Sequence, residues 1–216
     1  MANRLALPPL YVILDAALLP SGPLELTNNL LDAGVRLFQY RNKTAPAREL
    51  LHAAQALCLT VRQRGGTFIV NDRADIARLA GANGLHLGQD DLSVAAAREV
   101  VENGCAIGLS THNLPQFEAA AASDADYIAV GPIFKTSGKK NPDPVVGLDL
   151  IRAARKLTRK PIVAIGGITV ERAREVMDAG ADSVAVISDV LKAKNPIARV
   201  QQYLEILPSA AQPTGN

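Results

Sequence analysis

Cysteine is scarce in this chain, and its scarcity excludes several architectures. Only Cys58 and Cys105 occur among 216 residues. Both sit in apolar surroundings, and neither belongs to a metal-ligand spacing, which leaves no disulfide scaffold and no thiolate metal site. They read as reduced core thiols of a cytoplasmic protein. A surplus of charge of one sign is missing too: 23 basic against 21 acidic residues leave a formal net charge of +2. That balance implies no general attraction to nucleic acid or to a membrane surface. No apolar run is as long as a membrane span, and the opening MANRLALPPL lacks a signal-peptide core. Two familiar catalytic fingerprints are absent as well. The first strand-like run leads into LDAALLPSGP rather than the G-x-G-x-x-G of a dinucleotide site, and no G-x-S-x-G nucleophile elbow is present.

What is present is a rhythm. A hydrophobic fraction of 48% suffices for one core. Short runs rich in Val, Ile and Leu alternate with longer amphipathic ones. The expected strands are Leu10–Leu14, Leu37–Tyr40, Thr67–Val70, Gly84–Leu87, Ala106–Leu109, Tyr127–Val130, Pro161–Ile165 and Ser183–Ile187. Their continuous apolar character suits strands buried on both faces, as in a parallel sheet. Between and after them the spacing predicts helices over Leu24–Ala33, Ala47–Arg64, Arg73–Leu79, Ser93–Glu102, Leu114–Ala122, Leu148–Leu157, Val170–Asp178 and Ile197–Ile206. Ser93, Asn113 and Thr169 stand where helix caps belong, and Gly34, Gly81, Gly104 and Gly180 where helices close. Eight βα units of this kind predict an α/β fold, a single (β/α)8 TIM barrel over residues 1–208, with a disordered tail over 209–216. An open doubly wound sheet is the rival architecture.

A barrel gathers the polar residues that end its strands on one rim, where barrel enzymes place their chemistry. Here these are Gln39, Arg41 and Lys43; Asn71 and Asp72; Gln89 and Asp91; Ser110 and His112; the long loop 131–146; Gly166 and Gly167; Ile187 and Ser188. Asp72 and Asp91 form the best metal pair. Their hard oxygens favour Mg2+, which keeps few protein ligands and takes the rest from phosphate and water. Alone, Asp72 would cap the helix near Arg73, and Asp91 a turn before Ser93. Asp90 is the weaker candidate. Arg41, Lys43 and Lys139 suit a diphosphate, Arg as a planar fork and Lys as a compact charge, while Lys140 is left to solvent. The loop GPIFKTSGKKNPDPVVG is long enough to be a lid, and Thr136 and Ser137 could hold a phosphate within it. Gly167 and Ser188 end the last two strands, a frequent phosphate corner in barrels. Ser110 is expected to hydrogen-bond near a diphosphate, His112 to cap or support, and His86 to be a buried, satisfied histidine.

QYRNK, FIVNDRADIA, GLHLGQDDL, GLSTHN, DYIAVGPIF-KTSGKK, PIVAIGGIT and ADSVAVIS occur here in one order. By that ordered set the chain resembles the thiamine-phosphate synthase family over nearly its whole length. The resemblance implies a cytoplasmic enzyme for small-molecule substrates. It would join 4-amino-2-methyl-5-hydroxymethylpyrimidine diphosphate to 4-methyl-5-hydroxyethylthiazole phosphate, releasing diphosphate by a dissociative, Mg2+-assisted substitution. It implies that Gln39, Tyr40, Arg41, Asn42, Lys43 and Asn71 hold the pyrimidine diphosphate and that Asp72 and Asp91 hold Mg2+. Ser110 and Lys139 would contact the diphosphate, with Arg41 and Lys43 sharing the catalytic work. Thr136, Ser137, Gly138, Gly167, Ile187 and Ser188 would hold the thiazole phosphate. Two positions depart from the family pattern: Asn42 replaces a glutamate of Q-x-R-E-K, and Gly138 a threonine of T-x-T-K. Both departures are expected to weaken contacts rather than remove the function. A thiazole tautomerase and a non-catalytic sensor of thiazole phosphate are the alternative readings on the same barrel, and a homo-oligomer is compatible with either.

Overall fold

Strands that are apolar on both faces need a cover on both, and a closed barrel ringed by helices supplies it. A computed structural model describes residues 7–19, 21–136 and 143–208. Strands β1 (Leu10–Asp15), β2 (Leu37–Arg41), β3 (Thr67–Asn71), β4 (Gly84–Leu87), β5 (Ala106–Thr111), β6 (Tyr127–Val130), β7 (Ile162–Ile165) and β8 (Ser183–Val186) form one closed parallel barrel. The closure is the pairing of β8 with β1, Tyr11 opposite Ala185. Around it run α1 (Leu24–Asp32), α2 (Ala47–Gln63), α3 (Ala74–Ala80), α4 (Val94–Val100), α5 (Leu114–Ala122), α6 (Gly147–Leu157), α7 (Val170–Asp178), α8 (Ser188–Leu191) and α9 (Pro196–Ile206).

The fold is the (β/α)8 TIM barrel expected from the rhythm of the sequence, and the bounds agree to within two residues. The differences are instructive. β1, β2, β3 and β5 continue through Asp15, Arg41, Asn71 and Thr111, so several polar residues expected in loops are the last residues of strands. α8 was not expected; four residues are too few to show a helical period. Ser93 and Asn113 cap as anticipated, accepting from Ala96 N at 3.2 Å and Gln116 N at 3.0 Å. Thr169 occupies the cap position of α7 without a capping bond. Its hydroxyl turns instead to Glu171, whose carboxyl it holds below the usual range. The expected tail, 209–216, lies outside the described residues.

Alternation along each strand divides the core in two. One set, including Val12, Phe38, Val70 and Ile128, packs outward against the helices. The other, Tyr11, Ile13, Leu37, Ile69, Tyr127, Ala129, Val163 and Ala185, fills the barrel. At the strand-start rim a device repeats on β3, β5 and β7. Asn83 accepts from Phe68 N at 2.9 Å, Asp126 from Ile107 N at 2.7 Å and Asp182 from Ile162 N at 2.8 Å. Arg98 and Arg155 reach the two aspartates from α4 and α6. That rim is fastened for stability, and the chemistry is left to the other.

The interior is tight enough to dictate one glycine. A Cβ at Gly108 would lie 2.0 Å from the Tyr127 ring. Gly108 is thus the space that lets a tyrosine enter the barrel from the neighbouring strand. Gly108→Ala is expected to destabilise the fold by about 1–3 kcal/mol, as overpacking does. Urea unfolding would show it as a lower midpoint, and an unchanged midpoint would contradict this packing.

Candidate active site

At the strand-end rim β1, β2, β3 and β4 deliver charges to neighbouring places. Arg41, in line with Gln39 on β2, meets Asp15 at the end of β1, Nη1 to Oδ2 at 2.5 Å. Two residues on, Lys43 Nζ lies 2.9 Å from Asp72 Oδ2. Among the described residues Asp72 is the only non-glycine with a left-handed backbone, φ 62°. Asp tolerates that conformation better than most residues, and strain there commonly marks a functional position. Its N–H still finds a partner, His86 O at 2.8 Å, so the turn is anchored to β4. The capping role considered for Asp72 is not what the structure shows: Arg73 is the N-cap of α3, without a side-chain bond.

Asp91 lies beside Asp72. Burial raises the Asp72 pKa, the Lys43 ammonium opposes that rise, and the Asp91 carboxylate adds to it. Asp91 Oδ2 also accepts from Gly88 N at 2.6 Å, so the turn-binding and site-forming readings of Asp91 hold together. No group of three or more His, Cys, Asp or Glu side chains suited to a metal occurs among the described residues. Two adjacent hard carboxylates nevertheless fit Mg2+, whose remaining ligands are characteristically phosphate oxygens and water. The set does not fit a soft metal or a closed protein cage.

Below the charged mouth a line of side chains crosses the barrel. Gln39 Nε2 donates to Tyr11 Oη at 2.8 Å, and Tyr11 Oη lies 3.3 Å from Tyr127 Oη. Tyr127 Oη reaches His86 Nδ1 at 2.9 Å, and His86 Nε2 reaches Ser110 Oγ at 2.8 Å. Burial raises the pKa of both tyrosines and pushes His86 down to about 4, so the imidazole is neutral at pH 7. His86 is the buried, satisfied histidine anticipated from the sequence. Tyr11 and Tyr127 were missed because their apolar neighbours made them look like core. Their place in line with Gln39 and His86 on the inward faces was the available signal.

The opposite side of the mouth is built by β6, β7 and β8. Ile133 N donates to Ile165 O and Phe134 N to Gly166 O, both at 2.9 Å, fastening the base of the long loop to the end of β7. Gly167 is required there: its φ is 66°, and a Cβ would lie 2.6 Å from Lys135 O. Arg172 stacks over Phe134 at 4.6 Å. Tyr203 of α9 donates to Asp189 at 2.8 Å and lies 3.3 Å from Ile168 O, so it holds α8 against the β7–α7 loop. Asp15 and Tyr203 were not among the expected site residues. Ser188 opens α8, directly after Ile187. His112 Nδ1 bonds Gly131 O at 2.6 Å and stands 3.7 Å from Asp143, supporting both ends of the loop.

The structure thus gathers Gln39, Arg41, Lys43, Asn71, Asp72, Asp91 and Ser110 on one side of the rim and Gly167, Ile187 and Ser188 on the other. One expected substrate contact needs correction, and a second residue also has local partners. The Tyr40 side chain packs in the outer layer, because strand alternation sends it opposite to Gln39 and Arg41. Asn42 is engaged locally: its Oδ1 accepts from Thr44 N at 3.1 Å and Ala45 N at 3.0 Å, and its Nδ2 donates to Tyr40 Oη at 3.2 Å. Thr136 is placed on the loop, whereas Ser137, Gly138, Lys139 and Lys140 lie outside the described residues. A cavity of about 230 Å³ lined by Arg62, Arg78, Asn83 and Glu102 opens at the strand-start rim and contains none of these groups.

Known proteins resemble this chain over most of its length. The family described as Thiamine monophosphate synthase matches residues 10–190. A thiamine-phosphate synthase of Koribacter versatilis is 51% identical over 214 residues, covering 97% of this chain and all of that one. Another from Chlorobium luteolum is 42% identical, covering 93% of each. The solved structure of thiamine phosphate pyrophosphorylase from Pyrococcus furiosus superposes with a TM-score of 0.84 at 34% identity, over 91% of this chain and 94% of that one.

One pH dependence follows from the buried imidazole. An unfolded histidine titrates near 6.5, and folded His86 near 4. As pH falls the unfolded chain takes up the proton first. The stability contributed by neutral His86 is therefore complete above pH 6.5 and is lost as pH falls towards 4, roughly 3 kcal/mol in all. His86→Gln is expected to flatten that part of the stability–pH curve in urea titrations. Parallel curves for the two proteins would contradict the assignment.

Proposed function

The chain belongs to the thiamine monophosphate synthase family, and on that premise we propose how the mouth of its barrel performs thiamine-phosphate synthesis. The protein is a transferase acting on small molecules. Its substrates are the aminopyrimidine methyl diphosphate and the thiazole phosphate; its products are thiamine phosphate and diphosphate. The observation that carries the residue assignment is the meeting of Asp72 and Asp91 with Lys43 and Arg41 at one rim.

The bond to be broken joins the pyrimidine methylene carbon to a diphosphate oxygen. The ring's 4-amino group donates electrons, so that carbon can carry positive charge while the oxygen departs. Catalysis then consists of stabilising negative charge on the leaving group and keeping water from the cation. Arg41, steadied by Asp15, and Lys43 face the diphosphate as preorganised cations. The Ser110 hydroxyl and the Asn71 carboxamide add neutral hydrogen bonds, and Gln39 orients the pyrimidine deeper in the barrel. Mg2+ held by Asp72 and Asp91 would neutralise further charge on the departing group. The thiazole nitrogen closes the C–N bond, its phosphate anchored by Gly167, Ile187 and Ser188. By the resemblance to the family, Thr136, Ser137 and Gly138 would contact the thiazole phosphate and Lys139 the diphosphate. No enzyme nucleophile is required. A tautomerase on the same barrel has no need of a carboxylate pair facing cations, and that cluster favours the synthase. Buried, unpaired Cys58 and Cys105 support a cytoplasmic setting.

Incubation of both heterocycles with and without Mg2+ tests the reading. Thiamine phosphate and diphosphate are expected in equal amounts and only with the metal. Isomerisation of a carboxylated thiazole phosphate without diphosphate release would overturn it. Asp72→Asn is expected to lower kcat by about two to three decades with an unchanged circular dichroism spectrum. Full turnover by that variant would remove Asp72 from the site. Ser188→Glu should raise KM for the thiazole phosphate far more than for the diphosphate substrate, and equal effects would refute the division of the pocket.

A further inference from the structure

The line of side chains through the barrel has a direction, and the reaction as described uses only its two ends. A carboxamide nitrogen can only donate, so Gln39 Nε2 gives a hydrogen bond to Tyr11 Oη. Tyr11 has one proton, and the nearest acceptor left to it is Tyr127 Oη at 3.3 Å. Tyr127 then donates its O–H to His86 Nδ1 at 2.9 Å, which makes Nδ1 the acceptor nitrogen of a neutral ring. The ring proton must sit on Nε2, where it is donated to Ser110 Oγ at 2.8 Å. Ser110 accepts that bond, and its own proton remains for the mouth of the barrel.

Reversal of the line would have the opposite consequence. With the carboxamide turned over, every bond would run backwards. Ser110 would donate to Nε2 and present only lone pairs to an anion, which repels it. The direction of the line therefore decides whether Ser110 attracts or repels a diphosphate.

We propose that Tyr11, Tyr127 and His86 are positioning residues whose one-way hydrogen bonds hold the Ser110 hydroxyl as a donor to the departing diphosphate. This rests on the synthase reading given above. None of the three needs to touch substrate. Their placement is enforced by packing: Tyr127 fills the space above Gly108, its ring stacks on His86 at 5.6 Å, and it meets Tyr11 edge-on at 6.5 Å. Buried hydrogen-bond chains polarise one another, so the terminal donor is set as one unit with the rest.

The direct test is the tautomer of His86, read from ¹H–¹⁵N spectra of ¹⁵N-histidine-labelled protein at neutral pH. The chain has 3 histidines, and His86 is assigned by the signal that His86→Gln removes. A proton on Nε2 is expected, and a proton on Nδ1 overturns the proposal whatever the activity. Activity gives the second arm. Glutamine can still donate from its Nε2, so His86→Gln should keep kcat within a few-fold, whereas His86→Leu should lose about tenfold or more, the worth of one hydrogen bond to an anion. Equal losses in both variants would reduce His86 to a packing role and overturn the proposal. Tyr127→Phe keeps the ring and removes the donor to Nδ1. A mixed tautomer and a lower kcat at unchanged KM for the thiazole phosphate are expected, and an unaltered tautomer counts against the line. A protein with the expected tautomer but no diphosphate release would support the direction of the line and overturn the reaction reading instead.

Discussion

Two carboxylates held side by side repel each other, and the layout of the barrel mouth follows from that repulsion. Burial and Asp91 both raise the Asp72 pKa, and Lys43 offsets them from one side. Arg41 is kept at the same rim by Asp15. A site in which anions and cations alternate in this way suits a partner that carries both signs, as a metal-bound diphosphate does. The backbone contributes too: Asp72 takes a left-handed conformation with its N–H tied to β4, and Asp91 is held in the following turn by Gly88 N.

Below the charges the barrel is neither empty nor wholly apolar. Tyr11 and Tyr127 occupy the interior and convert a layer of core packing into a line of hydrogen bonds from Gln39 to Ser110. The two sides of the mouth are built by different means. The β1–β4 side is electrostatic. The β6–β8 side is steric, with Gly167 admitting the backbone of the long loop and Tyr203 bracing α8 from behind. Such a division suits a reaction in which one substrate loses a charged group and the other is held by a phosphate while it attacks.

The architecture was legible because fully buried parallel strands are apolar throughout and the glycines between units recur. The carboxylate pair and its cations were legible because polar residues directly after apolar strands have few places to go but the rim. Side-chain direction was harder to read. Tyr40 sits among true rim residues and still faces the helices, since direction changes with every residue of a strand. Asn42 also organises the turn before α2, a role its position alone did not show. Tyr11 and Tyr127 were hard to single out, because an inward tyrosine and a core tyrosine look alike until their alignment with Gln39 and His86 is known. Tyr203 lies 14 residues from Asp189 and 35 from Ile168, too far for a local pattern to link them, and α8 is a single turn.

The central claim is that the acidic pair and its facing cations hold a diphosphate together with a divalent ion. Calorimetric titration of inorganic diphosphate, in Mg2+ and in its absence, tests it most directly in the protein and in an Asp72→Asn, Asp91→Asn double variant. Binding that tightens by about tenfold or more with Mg2+ in the unaltered protein, and loses that dependence in the variant, is the expected result. Equal affinity with and without the metal, or the same metal dependence in both proteins, would contradict the account.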